Sequence, residues 1–225
     1  GFQPGDGVVV QALSGGAVAV GTVAVLALGA VAILCEPGLG DAVYFSRLKV
    51  AAPRWVLVHP IIVWANRIPG ARAFLQRREL MVPPLIPNDV ASESIVISNR
   101  WLSSLATDTS PHPVERASSD DAIVIFTGGT TSLPKCVRLS HGALDYYLGN
   151  IGGLAEDLNA TRYLADTPQQ VLYGLNLGKT VVVTKGRTRK RAAFVAQAIR
   201  EGRVDAYFGS PFLWMEMIAQ AGATP

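Results

Sequence analysis

The chain has 225 residues, enough to bury a core without disulfide or metal staples. Hydrophobic residues make up 49% and charged residues 16%, against about 25% charged in an average globular chain. That excludes intrinsic disorder and leaves three readings: buried parallel strands, a membrane segment, or a piece whose apolar faces meet something larger. The net charge of +3 comes from one run, Lys185 to Arg191, with five positive side chains and no interleaved aromatic. The rest of the chain is net acidic, so the run reads as a solvated loop and not as a nucleic-acid surface.

Two cysteines, Cys35 and Cys136, make no CxxC. A reducing, cytoplasmic setting fits them better than a disulfide framework. Three scattered histidines, His59, His112 and His141, have no metal-ligand spacing, and no metal-binding residue is assigned.

In chain order, the turn Pro4 to Gly7 leads into a buried strand at Val8, Val9 and Val10, with Leu13 beyond it. Ser14, Gly15 and Gly16 break the strand. Ala17 to Leu28 reads as a buried helix, and Gly29 suits the left-handed stop after it. Ala30 to Cys35 reads as a second buried strand, ended by Glu36-Pro37-Gly38. Strand, helix and strand in this order form a βαβ unit, whose central strands are continuous apolar runs. The alternative is a transmembrane helix over residues 17–34, which are long and apolar enough to span. The repeated glycines favour the βαβ reading.

Arg54 to Trp64 contains another apolar strand, interrupted by Pro60. Ala71 to Leu80 reads as a short amphipathic helix. Residues 83–121 are rich in proline and small polar residues and read mostly as loop. Ile95 to Ile97 and Trp101-Leu102 must still bury something. Ala122 to Phe126 is a strand by composition. Val137 to Leu139 resumes extended structure, and Ser140 is the N-cap of a helix from His141. Ala192 to Glu201 is an amphipathic helix, followed by Gly202 and a strand from Val204 to Phe208.

Between the strands around 122 and 137 lies Thr127-Gly128-Gly129-Thr130-Thr131-Ser132-Leu133-Pro134-Lys135. Its glycines let the backbone approach a ligand closely. Its hydroxyls and N–H groups suit phosphate oxygens, and Lys135 supplies a point charge. It is not a Walker A loop, because Pro134 precedes the lysine and a strand follows it. The bland reading of such a stretch is a polar turn.

Phe126 to His141 resembles the phosphate-binding loop of the adenylate-forming superfamily, which includes acyl-CoA synthetases, firefly luciferase and peptide-synthetase adenylation domains. Phe126, Thr127, Gly129, Thr130, Thr131, Pro134 and Lys135 match the pattern. Gly128, Ser132 and Cys136 replace a serine and two glycines. Phe2 to Gly7, Leu28 to Val31 with Glu36 to Gly40, Leu172 to Val183, and Phe208 to Pro211 are similar to the fatty-acyl and olefin-pathway β-lactone synthetase branch.

The resemblance implies a parallel-sheet-rich, layered α/β subdomain, with residues 1–225 forming part of a large amino-terminal adenylation domain. It implies that Thr127, Gly128, Gly129, Thr130, Thr131, Ser132 and Lys135 hold ATP phosphates, with Mg²⁺ as cofactor. The implied reaction joins a fatty or β-hydroxy fatty acid to AMP, with CoA or a carrier protein as acceptor. The superfamily's catalytic lysine belongs to a small carboxy-terminal domain not matched here, so no catalytic residue is assigned and little turnover is expected of these residues alone. Tyr173, Gly209 and Ser210 line an acyl pocket or pack the core. His141 reads as structural, and Cys136 stands beside the cationic Lys135, with a reactive thiol as a minor alternative to a packing role. The loop replacements also allow a degenerate, non-catalytic binding module.

Overall fold

The computed structural model describes residues 1–13, 15–36, 40–78, 80, 82–97, 113–127, 135–156, 159–165, 167–183, 191–209 and 211–220. β1 (Gly7–Gln11) is the central strand of a six-stranded sheet, and Val8 and Val9 on its two faces are almost wholly buried. α1 (Gly15–Ala27) follows and ends as expected at Gly29, with φ +69°. Ala30 N–H donates to the Val25 carbonyl and Gly29 N–H to that of Leu26, the paired bonds of a Schellman stop. β2 (Val31–Ile33) then runs parallel to β1, as the βαβ reading requires. The strand ends before Gly15 and Gly16, as expected, and these two open α1 two residues ahead of its expected start at Ala17. α1 has 13 residues, about 20 Å, short of the ~30 Å of a bilayer core. No described helix is long and apolar enough to cross a membrane.

α2 (Asp41–Ala51) leads to β3 (Trp55–Val58), which pairs on the other side of β1. Here the expectation needs correction, because the strand does not run on to Trp64. Pro60 opens α3 (Pro60–Arg67), where its missing N–H is no loss, and His59 caps the helix by accepting from Ile61 N–H at 3.2 Å. α4 (Ala71–Arg77) follows, close to its expected span. β4 (Glu93–Val96) is a parallel edge strand inside the stretch read as loop. Trp101 and Leu102 lie outside the described residues.

β5 (Asp121–Thr127) joins β2 in parallel, and β6 (Lys135–Ser140) returns antiparallel to it. The order is β4-β3-β1-β2-β5-β6. α5 (His141–Glu156) starts under the expected cap, with Ala143 N–H donating to Ser140 Oγ at 3.2 Å.

A second, all-parallel sheet has the order β8-β7-β9, from β7 (Arg162–Ala165), β8 (Thr180–Val183) and β9 (Ala206–Tyr207). α6 (Pro168–Asn176) and α7 (Arg191–Arg200) connect its strands, and α8 (Pro211–Gln220) follows. α7 matches its expected helix, while β9 is shorter than the expected 204–208 strand. Ala19 of α1 clusters with Ala165 and Val171, so α1 lies in the layer between the two sheets.

Side-chain alternation sorts the large sheet into two cores. Val9, Ile33, Val56, Val58 and Val124 meet α2 and α3 through Tyr44, Leu48, Ile62 and Ala65. Val8, Ala32, Leu57 and Ile123 meet α1 and α6 through Val25 and Leu172. Gly29 sits where a Cβ would come within 2.9 Å of the Val114 side chain. With its positive φ, Gly29→Ala is expected to destabilise the fold by roughly 1–3 kcal/mol, measurable by denaturant unfolding.

Candidate functional site

The first five strands run parallel, so their carboxyl ends share one edge of the large sheet. α1 leaves β1 toward one face, and α2 leaves β2 toward the other. α3, which follows β3, lies on the same face as α2, so the order reverses between β1 and β3, and open α/β sheets take ligands in the crevice outside that point. β5 lies on the far side of β2, with its carboxyl end on the same edge. Leu34 N–H donates to the Val124 carbonyl at 2.9 Å, which keeps the two strands together toward this edge.

Thr127 closes β5 there and pairs in register with Lys135, which opens β6; both are exposed. The hairpin thus brings the two ends of the expected phosphate loop side by side. Gly128, Gly129, Thr130, Thr131 and Ser132 lie outside the described residues. Along the hairpin Arg138 pairs with Asp121 at 2.6 Å, whereas Lys135 has no ion pair among the described residues. His141 follows the opposite end, where Asp121 pairs with Ser140, about 20 Å from the loop at ~3.3 Å per residue. That distance favours its structural reading. Cys136 packs half-buried against the α2 side of the core.

One residue before Thr127, Phe126 packs against that same core. The Arg47 guanidinium of α2 lies 5.5 Å from the centre of its ring. Arg47 is only 5% exposed, and its Nε has no hydrogen-bond partner among the described residues. A ring face is worth about 2 kcal/mol to a desolvated cation, less than taking the ion out of water. Sequence reasoning missed this residue because it left residues 41–51 unassigned. The signal was present: Tyr44, Leu48 and Ala51, with Arg47, occupy the buried face of one helix.

Tyr173 is buried in α6, its ring 5.4 Å from that of Tyr147 in an edge-on pair. Burial first, and Tyr147 beside it, push its hydroxyl well above the usual tyrosine range. Gly209 lies where a Cβ would overlap the Tyr207 ring. Ser210 is outside the described residues. A separate apolar groove of about 630 Å³ runs along the α1 side of β1, β3 and β4, lined by Phe2, Val10, Leu57, Ile95 and Ile97. Neither Tyr173 nor Gly209 lines it.

A mostly parallel, layered α/β sheet with a strand–loop–strand hairpin opening at its carboxyl edge defines the structural class. The sequence profile of the AMP-binding enzyme family matches residues 1–225, and the chain belongs to that family.

A long-chain-fatty-acid-CoA ligase (FadD1) from Archaeoglobus fulgidus superposes on all of this chain and 44% of its own, at 15% identity and a TM-score of 0.73. The N-terminal domain of FACL13 from Mycobacterium tuberculosis covers 97% of this chain and 53% of its own, at 18% identity and a TM-score of 0.67. At these identities the likeness is one of fold. The hybrid PKS-NRPS synthetase pvhA of Talaromyces variabilis is 28% identical over 123 residues, 51% of this chain and 3% of its own. The chain therefore spans about half the length of these solved relatives and a small share of the curated one.

His59 stands at the carboxyl end of the groove, and burial lowers its pKa below the usual 6.5. Its contribution to stability is full above pH 6.5 and is lost as the pH falls toward the folded value, because the unfolded chain takes up the proton first. Protonation also removes the Nδ1 acceptor that caps α3. Unfolding free energies measured from pH 7.5 to 5 should therefore decline, and His59→Asn should flatten that decline.

Proposed function

We propose that the protein activates a carboxylic acid with ATP. A carboxylate oxygen attacks the α-phosphorus, the bond to the β-phosphate oxygen breaks, and pyrophosphate leaves an acyl-adenylate. The observation that carries this reading is the register of the hairpin. Thr127 and Lys135 face each other at the carboxyl edge of the sheet, at the two ends of a Gly/Thr/Ser loop. The family match over residues 1–225 supports it.

In this mechanism Lys135 meets phosphate charge as a point cation, and the Thr127 hydroxyl donates to a phosphate oxygen. The lysine helps most where negative charge moves onto the departing pyrophosphate. Backbone N–H groups of the loop complete the cradle. Among the described residues no three carboxylate, imidazole or thiol groups gather. A Mg²⁺ ion would therefore arrive on the nucleotide, with the Thr127 hydroxyl available beside it, and would neutralise phosphate charge when bound.

The solved relatives named as a fatty-acid-CoA ligase and an acyl-CoA synthetase support a fatty acid as the carboxylate and CoA as the acceptor. A carrier protein is the alternative acceptor, and a β-hydroxy fatty acid the alternative carboxylate. In this reading the acyl chain lies beside Tyr173, Gly209 and Ser210. A second reading, a binding module without turnover, rests on Gly128 and Ser132, which replace a serine and a glycine of the superfamily's loop.

Acid-dependent exchange of labelled pyrophosphate into ATP, measured on the full-length protein with fatty and β-hydroxy fatty acids, tests these readings. Exchange is expected, and Lys135→Met should slow it about a hundredfold. No exchange with any acid would sink the proposal. Exchange that appears only after Gly128→Ser and Ser132→Gly would favour the binding module.

A further inference from the structure

Buried charges in folded proteins are paired or hold an ion, because the protein must replace the water they lose. Arg47 breaks that pattern. It is 5% exposed and sits on the buried face of α2, among Tyr44, Leu48 and Ala51. Among the described residues it has no carboxylate partner and donates no hydrogen bond, and its Nε is an orphan. The face of the Phe126 ring lies 5.5 Å from the guanidinium. A ring quadrupole does not replace a hydration shell, so this guanidinium is a countercharge in want of an anion.

Its position says which anion. Phe126 is the last residue before Thr127, and Thr127 pairs with Lys135 at the carboxyl edge. Arg47 approaches this junction from the α2 side, beside the half-buried Cys136. Two cations therefore flank the same strand end from opposite faces of the hairpin, Lys135 exposed on the Thr127 face and Arg47 buried on the Phe126 face. A guanidinium offers a planar fork that matches phosphate oxygens two at a time, which a lysine does not.

We propose that Arg47 is a phosphate-binding residue of this site, taking the terminal phosphates of ATP or the pyrophosphate formed from them. The proposal rests on the ATP-dependent reading above and adds a residue to it.

The test is the full-length protein with Arg47→Met, which keeps the length of the stem and removes the charge, and with Arg47→Lys. Thermal unfolding and binding titrations would use Mg–ATP, pyrophosphate and AMP as probes. Loss of an unsatisfied buried charge should raise the melting temperature of the nucleotide-free Met variant. The same variant should bind ATP and pyrophosphate about ten- to a hundredfold more weakly, with AMP unchanged. Arg47→Lys should fall between, because it keeps the charge but not the fork.

A Met variant that melts below wild type or does not fold would show a structural cation and overturn the proposal. So would unchanged affinity for ATP and pyrophosphate in a wild type that binds both, and in that case the ATP-dependent reading stands. A wild type that binds neither ATP nor pyrophosphate would remove that reading, and the proposal with it.

Discussion

The right-handedness of parallel crossovers is the constraint on which this architecture turns. β1 is central, β2 lies on one side of it and β3 on the other. Two consecutive crossovers in opposite directions cannot both be right-handed on one face. α1 and α2 are therefore driven to opposite faces, where they build separate cores. The connections leaving β1 and β3 diverge, and the crevice between them opens at the carboxyl edge that β5 shares. The position of the hairpin, the buried layer that holds α1 and the approach of α2 to Phe126 all follow from that divergence.

The two edges of the sheets are electrostatically unlike. At the amino edge, Asp6 accepts from Gln3 N–H, Trp55 Nε1 and Arg54, tying the start of β1 to that of β3. Burial alone would raise its pKa, but these donors outweigh it and hold the carboxyl below its ordinary value. Asp205 does the same for the second sheet, accepting from the Thr161 hydroxyl, from Arg162 and from both backbone N–H groups. The Thr161 hydroxyl above all, then Arg162, keep that carboxyl well below the usual range. At the carboxyl edge Lys135 is exposed and Arg47 is buried, and neither has an acidic partner among the described residues. Donors and acceptors are matched where strands must be held and unmatched where an anion would bind.

Legibility in the sequence followed burial. β1, α1 and β2 could be read because both faces of the strands are covered, which makes their apolar runs continuous and leaves glycine as punctuation. Gly29 was readable because only a residue tolerant of positive φ closes such a helix beside Val114. Pro60 misled, since the same residue that interrupts a strand also opens a helix, and the His59 cap decides between them. α2 went unread because Arg47 stands where the helical period calls for an apolar residue. β7 and β4 went unread because four residues carry too little pattern.

The sequence by itself determined the local chemistry: the hydroxyls and glycines between Phe126 and Lys135, the buried character of residues 8–10 and 30–33, the caps at Gly29 and Ser140, and the kinship with adenylate-forming proteins. Those features depend on a residue and its neighbours within a turn or a strand. Only the tertiary structure decided the strand order, the pairing of Thr127 with Lys135, the groove beside α1, and the Arg47 guanidinium over the Phe126 ring. These join residues far apart in the chain. Their proximity is set by which face each crossover takes, and no local pattern records that choice.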